Sequence, residues 1–361
     1  MYLALRDLRH APGRFTLIGA VIALMMLLVG FLTGLTGGLA GQNISGILGT
    51  GAASVVAAKS DDSFSWSTAQ VDREQLAAWQ DAAAGTGATV TPVGVATTRL
   101  EDGDASAAVT LWAEAADTTP LGTDLAPLAQ GHIVLPEDAA TTLGVAPGDT
   151  IDLAGAPLTV AAVADTGQFS HIDIARVTLD DWRGYLQATM QPDRAASVLL
   201  VDGTVDHADT VAADSDTEAQ GLLPSLLGLE AFKSEIGTLG LMIAMLFGIS
   251  ALIVGVFFLV WSMQRQRDIA VLKALGAPMG WLRRDALGQA ALLLVVAIAL
   301  GSALALGLGA LITPVAPFIV AWWTILPPAL AMLVAGLIGA LISLRQINRV
   351  DPLVALNATA A

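Results

Sequence analysis

Four long apolar runs divide the chain, at residues 15–39, 236–263, 286–312 and 322–344, and none contains a charged residue. Each is long enough for an α-helix to cross a bilayer core, which takes about 20 residues. Trp261, Trp281, Trp322 and Trp323 fall at or near the ends of these runs, where aromatic rings favour the membrane–water interface. A secretory signal peptide is the competing reading of the first run, because Arg6, Arg9 and Arg14 precede it. The run exceeds the roughly 7–15 residues of a signal h-region, and no small-x-small cleavage site with a polar start follows.

The pattern changes between the first and second runs. Alternation of apolar and polar residues predicts strands near 90–98, 107–113, 133–135, 150–153, 158–163 and 198–201. Gly148-Asp149 and Ala154-Gly155 mark turns between several of them. Helical periodicity predicts helices over 72–84, 137–143 and 179–189, the last with Asp180 or Asp181 as its cap. The acid-rich stretch 205–218 reads as a solvated face or loop, because hard-cation loops need fixed acid spacing and a turn glycine. The expected fold class is an α-helical membrane protein with four transmembrane helices and an α+β extracytoplasmic domain inserted between helices 1 and 2.

Composition fits that division. Of the 361 residues 55% are hydrophobic and 14% charged, and mean hydropathy is +0.68, too apolar for a chain wholly in water. There is no cysteine, which excludes disulfides, thiolate metal sites and a cysteine nucleophile. The four histidines lie far apart, and no His-x3-His spacing occurs. No Gly-x-Ser-x-Gly elbow is present, and no catalytic constellation or metal site is expected.

Charge gives the orientation. Residues 42–235 hold 28 acidic and 7 basic residues, a net of −21, whereas the remaining polar segments have a net of +6. An acidic outer block argues against nucleic acid as a partner. Basic residues flank the first run, fill the link between the second and third, and follow the fourth (Arg345, Arg349). The positive-inside rule then places both termini and that link in the cytoplasm and the acidic block outside. Helix one carries Gly30, Gly34 and Gly38, and helix three carries Gly301, Ala305 and Gly309. Small residues at this spacing let helices approach closely in lipid, either within one protomer or at a seam between two. Pro327-Pro328 is expected to mark the outer end of helix four.

The link 264–278 carries an apolar stripe of Ile269, Leu272 and Leu275 beside Arg265, Arg267 and Lys273, and stops at Gly276 and Pro278. A second amphipathic stretch, 279–285, leads into helix three. On its residues alone the link is either a membrane-surface helix or a docking surface for a cytoplasmic partner. The run Arg-x-Arg-Asp-Ile-Ala-Val-Leu-Lys-Ala-Leu-Gly-Ala over 265–277 closely resembles the signature after the second transmembrane helix of FtsX/MacB-type ABC permeases. Arg349-Val-Asp-Pro-Leu-Val-Ala-Leu356 is similar to that family's C-terminal tail. The segment 133–167, with Leu-Gly-Val-x-x-Gly-Asp-x-Ile, is similar to the β-rich part of its outer domain. Asp268 stands where the family usually has Glu and keeps the charge.

The resemblance implies a homodimer in the cell membrane, bound to two separate cytoplasmic ATPase subunits. No Gly-x4-Gly-Lys-[Ser/Thr] phosphate loop occurs in the chain, so ATP would be bound by the partner and the chain itself would be no enzyme. The division that follows is 1–41 for a cytoplasmic N-terminal helix and transmembrane helix 1, and 42–235 for the outer domain. Transmembrane helix 2 covers 236–263, the cytoplasmic coupling segment 264–285, helix 3 286–312, helix 4 322–344 and the cytoplasmic tail 345–361. Arg267, Asp268, Lys273, Leu275, Gly276 and Ala277 are the expected ATPase-coupling residues.

A single permease of this length with one compact outer domain most resembles the haem-efflux permeases of Gram-positive bacteria. Haem is then the expected cargo, with no intrinsic cofactor and with membrane lipid and a second copy of the chain as partners. Alternatives are a division-type signalling protein that activates a cell-wall hydrolase, or an exporter of peptides or antibiotics. At the start of helix two, Glu235 and Met242 are seven residues apart and fall within about 20° of each other on a helix; Glu230 and Met245 fall within about 60°. A carboxylate above a thioether suits haem iron, and Lys233 is the nearest cation in sequence for a propionate. Glu230, Lys233, Glu235, Met242 and Met245 are therefore the expected cargo residues. The competing reading is that the methionines pack and the glutamates serve the helix dipole.

Overall fold

A computed structural model describes residues 12–61, 63–264, 278–313 and 315–347. Two compact units emerge, Leu39–Ile236 and the helical remainder. The boundary between them falls inside two helices: α1 (Pro12–Gly49) and the helix that begins at Glu230.

Among the described residues the outer unit has ten strands: β1 (Ser54–Ala58), β2 (Thr89–Asp102), β3 (Ala105–Glu114), β4 (His132–Leu135), β5 (Thr150–Leu153), β6 (Ala156–Val163), β7 (Gln168–Phe169), β8 (Ile172–Thr178), β9 (Val198–Asp202) and β10 (Thr217–Gly221). The order is β10-β1-β9-β2-β3-β8-β4-β6-β5, with β7 hairpinned to β8. β2 also pairs with β5, at Glu101 and Asp152, so the six strands from β2 to β5 return on themselves. The first half of β2 pairs with β9 and the second half with β3, which makes this one strand the spine of two lobes.

Each lobe has its own core. In the closed lobe Leu100, Leu111, Ile133, Leu135, Ile151 and Leu158 are buried with Trp182. Helices α3 (Glu137–Leu143) and α4 (Leu179–Ala188) cover it. In the open lobe successive residues of one strand serve opposite faces, as the two-residue strand period requires. Val55 and Ala57 face the cluster around Trp66 and Trp112, while Val56 between them faces the cluster around Trp79. That second face is covered by α2 (Arg73–Ala83) and α5 (Ala208–Asp214). Fully burying one such apolar side chain contributes about 1.5–3 kcal/mol.

Local rules account for the boundaries. Asp72 caps α2 and forms a capping box with Gln75. α3 stops at Gly144, which takes the left-handed conformation. The cap of α4 is Thr178, whose hydroxyl accepts from the Asp181 amide, rather than Asp180 or Asp181. Asp181 instead accepts from the Gly131 amide. The stretch 205–218, read as a solvated face or loop, holds α5, none of whose residues is buried, and the start of β10. Strands β1, β7, β8 and β10 lie outside the predicted set; β1 and β8 escape the alternation rule because both faces of β1 are buried and β8 carries a buried Arg176 among apolar neighbours. Arg176 donates to Glu114 at 2.9 Å, and Trp112 and the Leu121 amide donate to the same carboxylate. Burial lowers the Arg176 pKa from its ordinary value, and Glu114 opposes that shift.

Among the described residues four helices are long and apolar enough to cross a membrane, with spans Thr16–Gly49, Glu230–Phe257, Arg284–Ile312 and Trp322–Ile342. Short helix α6 (Leu222–Ser225) precedes the long α7 (Glu230–Gln264), and α8 (Met279–Ile312) and α9 (Trp322–Ile347) follow. Several predicted limits move. α1 continues to Gly49 and α7 starts at Glu230, so both overrun the apolar runs, and residues 279–285 are the first turns of α8. Pro327 and Pro328 lie inside α9 rather than at its end. A membrane helix tolerates such breaks because neighbouring groups satisfy the freed carbonyls.

The small-residue stripes are used within one chain. Gly30 faces the Ala305 methyl, at 3.3 Å for a built Cβ, while Gly34 and Gly309 both abut the Phe318 ring. Gly38 abuts the Pro317 carbonyl and Gly301 that of Ala23. α1, α8 and α9 thus close around Ile22, Met26, Leu294 and Met332. α7 is held more sparsely: 11% of an apolar 18-residue stretch of it is buried, against 33%, 33% and 28% for the corresponding stretches of the others. Its Leu241, Met242, Met245, Leu252 and Val256 are exposed, while Val254 and Ser250 face inward.

Candidate functional site

The expected cargo residues divide between the two units. Glu230, Lys233 and Glu235 belong to the outer unit, and Met242 and Met245 to the helical one. Met242 and Met245 lie on the exposed stripe of α7, at 49% and 60% exposure. Glu230 opens α7, where a carboxylate is favoured by the amide dipoles. Lys233 is exposed on the next turn. The coupling residues Arg267, Asp268, Lys273, Leu275, Gly276 and Ala277 lie outside the described residues.

Glu235 is not isolated. One of its oxygens lies 2.7 Å from Nε2 of His171, and the other accepts from Nδ2 of Asn43 at 2.8 Å. The Nδ1 of His171 faces Oε1 of Gln42 at 3.3 Å. Three distant pieces of sequence meet here: the end of α1, the β7–β8 turn and the start of α7. The β7–β8 turn is tight. Ser170 and His171 both adopt left-handed backbone, at φ 52° and 65°, a conformation that two-residue hairpins require and that usually selects Asn or Gly. Their amides donate to the Asn43 and Gln42 carbonyls, each at 3.0 Å. The Gln168 amide donates to Ser45 Oγ. Gly46 and Gly167 allow this approach, because the Gly167 Cβ position lies 3.0 Å from the Gly46 nitrogen. Nothing in residue spacing predicts this cluster, since Asn43 and His171 are 128 residues apart.

Phe169, Ser170 and Ile172 around the same turn also line a cavity of about 490 Å³, inside the range of about 300–1,000 Å³ typical of small-molecule sites. Trp66, Phe169, Thr97, Gln191, Arg194 and Glu230 are among the residues that line it. The rings form one cluster, with Trp66 5.8 Å from Phe169 and 5.7 Å from Phe64. Trp66 is fixed by its indole, which donates to the Ser225 carbonyl at 2.9 Å. Sequence reasoning reached Glu230 but not Arg194, Trp66 or Phe169, which converge only through the fold. Among the described residues no group of three or more His, Asp or Glu comes together to hold a metal ion.

Two family descriptions match the chain. A MacB-like periplasmic core domain matches residues 17–219, and an FtsX-like permease C-terminal domain matches residues 240–352. A full-length relative is HrtB of Staphylococcus haemolyticus, named as a hemin transport system permease protein. The two are 24% identical, over 99% of each chain. HrtB of Staphylococcus epidermidis is 25% identical over 36% of this chain and 37% of its own. Among solved structures, the periplasmic region of MacB from Actinobacillus actinomycetemcomitans aligns with 50% of this chain and 94% of its own, at 14% identity and a TM-score of 0.34. The extracellular domain of YknZ, an ABC-type transporter of Gram-positive bacteria, aligns with 47% and 98%, at 13% identity and a TM-score of 0.30. Scores at that level carry no argument, and the assignment rests on the domain matches. With the periplasmic core description covering more than half of its length and the permease description following it, the chain belongs to the FtsX/MacB-type family of ABC transporter permeases.

Proposed function

We propose that this permease is the membrane subunit of an ABC exporter that expels haem, driven by ATP hydrolysis in a separate cytoplasmic subunit. The observation that carries the cargo is the end-to-end similarity to a hemin permease, across 99% of both chains. The working unit is a homodimer in the lipid bilayer, with both termini cytoplasmic and the acidic unit outside. The basic link between α7 and α8 docks the ATPase, through Arg267, Asp268, Lys273, Leu275, Gly276 and Ala277. Haem enters from the outer leaflet along the exposed stripe of α7. Met242 and Met245 meet its apolar ring there, and Glu230, Lys233 and Glu235 supply polar contacts to iron and propionate. Ligation of iron by Glu235 requires the carboxylate to leave His171.

The test is growth. A haem-sensitive strain that lacks its own exporter should tolerate haem when it expresses this chain with its ATPase, and should lose that tolerance with Leu275→Asp. Unchanged haem sensitivity together with a cell-separation defect on deletion would point to the signalling reading instead. Orientation is tested separately, since the chain has no cysteine. An impermeant thiol reagent on intact cells should label Asp104→Cys and spare Gly280→Cys.

A further inference from the structure

Among the described residues the outer unit leaves four large apolar side chains exposed, Leu48, Met190, Leu223 and Leu227; the other exposed side chains of this kind belong to the helical unit. Leu48 and Met190 stand apart in sequence, and single exposed apolar residues are ordinary. Leu223 and Leu227 form a pair. Residues 222–228 run through α6 and a 3₁₀ turn (Leu226–Gly228) without a break, since Ser225 and Leu226 both keep right-handed helical backbone. Four residues apart, Leu223 and Leu227 share one side of this short helix, at 69% and 54% exposure. The opposite side is core, where Leu222, Leu226 and Leu229 are buried with Trp66. The segment is firmly held. The Leu222 amide donates to the Ala53 carbonyl, and the Trp66 indole donates to the Ser225 carbonyl at 2.9 Å. Gly228 packs so closely that an added Cβ would lie 2.6 Å from the Phe64 ring. The anchored side fixes the other one outward.

Position in the chain names the partner. The spanning stretch of α7 begins at Glu230, and the Lys233 amide already donates to the Leu229 carbonyl. Leu227 therefore lies three residues from the start of a helix that enters the bilayer, and Leu223 lies one turn before it. Residues 219–229 carry no charge, within a unit whose net charge is −21. An uncharged apolar pair continuous with a spanning helix matches the boundary between lipid headgroups and acyl chains. A second outer unit is a poorer occupant, because it carries the same net negative charge and the two would repel. We infer that Leu223 and Leu227 are a lipid-inserting foot of the outer unit, which enters the leaflet beside the head of α7.

The experiment uses the full chain in nanodiscs of zwitterionic phospholipid. Because the chain has no cysteine, Leu223→Cys and Leu227→Cys can each carry one fluorophore, with Asp104→Cys, exposed at the β2–β3 turn, as the reference. A lipid with a nitroxide just below its headgroup should quench the label at 223 and at 227 and spare it at 104. Acrylamide in the water should do the reverse. Both leucines are exposed, so neither substitution opens the core. Adding Leu223→Asp to the variant labelled at 227 should abolish the lipid quenching there, because a carboxylate resists transfer out of water. Acrylamide quenching at 223 and 227 equal to that at 104 places the pair in water and overturns the inference. Protection from both quenchers means a protein cover, a second copy included, and overturns it as well. Lipid quenching at 227 that survives Leu223→Asp shows that the label itself drives insertion, and the inference falls. Cargo plays no part in these measurements, so their outcome is independent of the haem reading.

Discussion

The imidazole of His171 and the carboxylate of Glu235 lie 2.7 Å apart, at 32% and 30% side-chain exposure, with the Asn43 amide on the second oxygen of Glu235. Removing the carboxylate unties α7 from both the β7–β8 turn and the end of α1. Glu235→Ala should destabilise the outer unit by about 1–2 kcal/mol, below the middle of the roughly 1.5–3 kcal/mol of a hydrogen bond to a charged group because water screens this partly exposed pair. Glu235→Gln, which keeps an acceptor, should cost less. Thermal unfolding followed by tryptophan fluorescence checks the order, and equal melting of Ala and Gln variants would contradict it.

The Glu114–Arg176 pair is a sharper case, because the two side chains are 7% and 5% exposed. Truncating one partner of a buried pair leaves an uncompensated charge, at a cost of about 3–5 kcal/mol. Glu114→Ala should therefore unfold the closed lobe at markedly lower temperature. The double substitution Glu114→Leu, Arg176→Met should recover part of the loss. A double variant less stable than either single one would show that the pair is held by something other than mutual neutralisation.

Two glycines of similar backbone conformation should respond differently. Gly122 and Gly103 both have positive φ, 69° and 58°. A Cβ on Gly103 meets open space, whereas on Gly122 it runs into the Gly49 carbonyl. Gly103→Ala should cost about 1 kcal/mol of backbone strain. Gly122→Ala should cost more, because the 120–123 turn must also separate from the end of α1. Comparable melting temperatures for the two variants would refute the contact.

In the helical unit the same contrast holds between Gly309 and Gly307. Gly309 abuts the Phe318 ring, and Gly307 has nothing within 4 Å. Gly309→Val should lower the melting temperature of the purified protein in detergent, and Gly307→Val should leave it within a few degrees. The reverse order would mean that α8 packs through its other face.

Much of the fold is legible in the chain because it follows one-dimensional periodicity. The apolar runs specify four spanning helices, and Thr150–Leu153 or Glu137–Leu143 can be read from alternation and flanking turn residues alone. β8 hides because Arg176 interrupts its pattern, and that arginine is tolerated only because Glu114 and Leu121 converge on it from elsewhere. The candidate site is less legible still. Glu230 and Glu235 stand out at the head of an apolar run, but the partners of Glu235, Asn43 and His171, come from distant segments. His171 is 64 residues from Glu235, and only the three-dimensional path of the chain brings it there.

The left-handed turn at Ser170 and His171 also bears on the order of folding. Neither residue is glycine, so each adds a conformational cost of order 1–3 kcal/mol that the two-residue strand β7 offsets poorly by itself. The compensating carbonyls of Gln42 and Asn43 lie about 128 residues earlier in the chain, and closing so long a loop is entropically slow to be rewarded. The hairpin therefore locks late, after the end of α1 is in place. Its two turn amides become protected from hydrogen exchange when α1 docks, and they report that docking more directly than they report formation of the sheet.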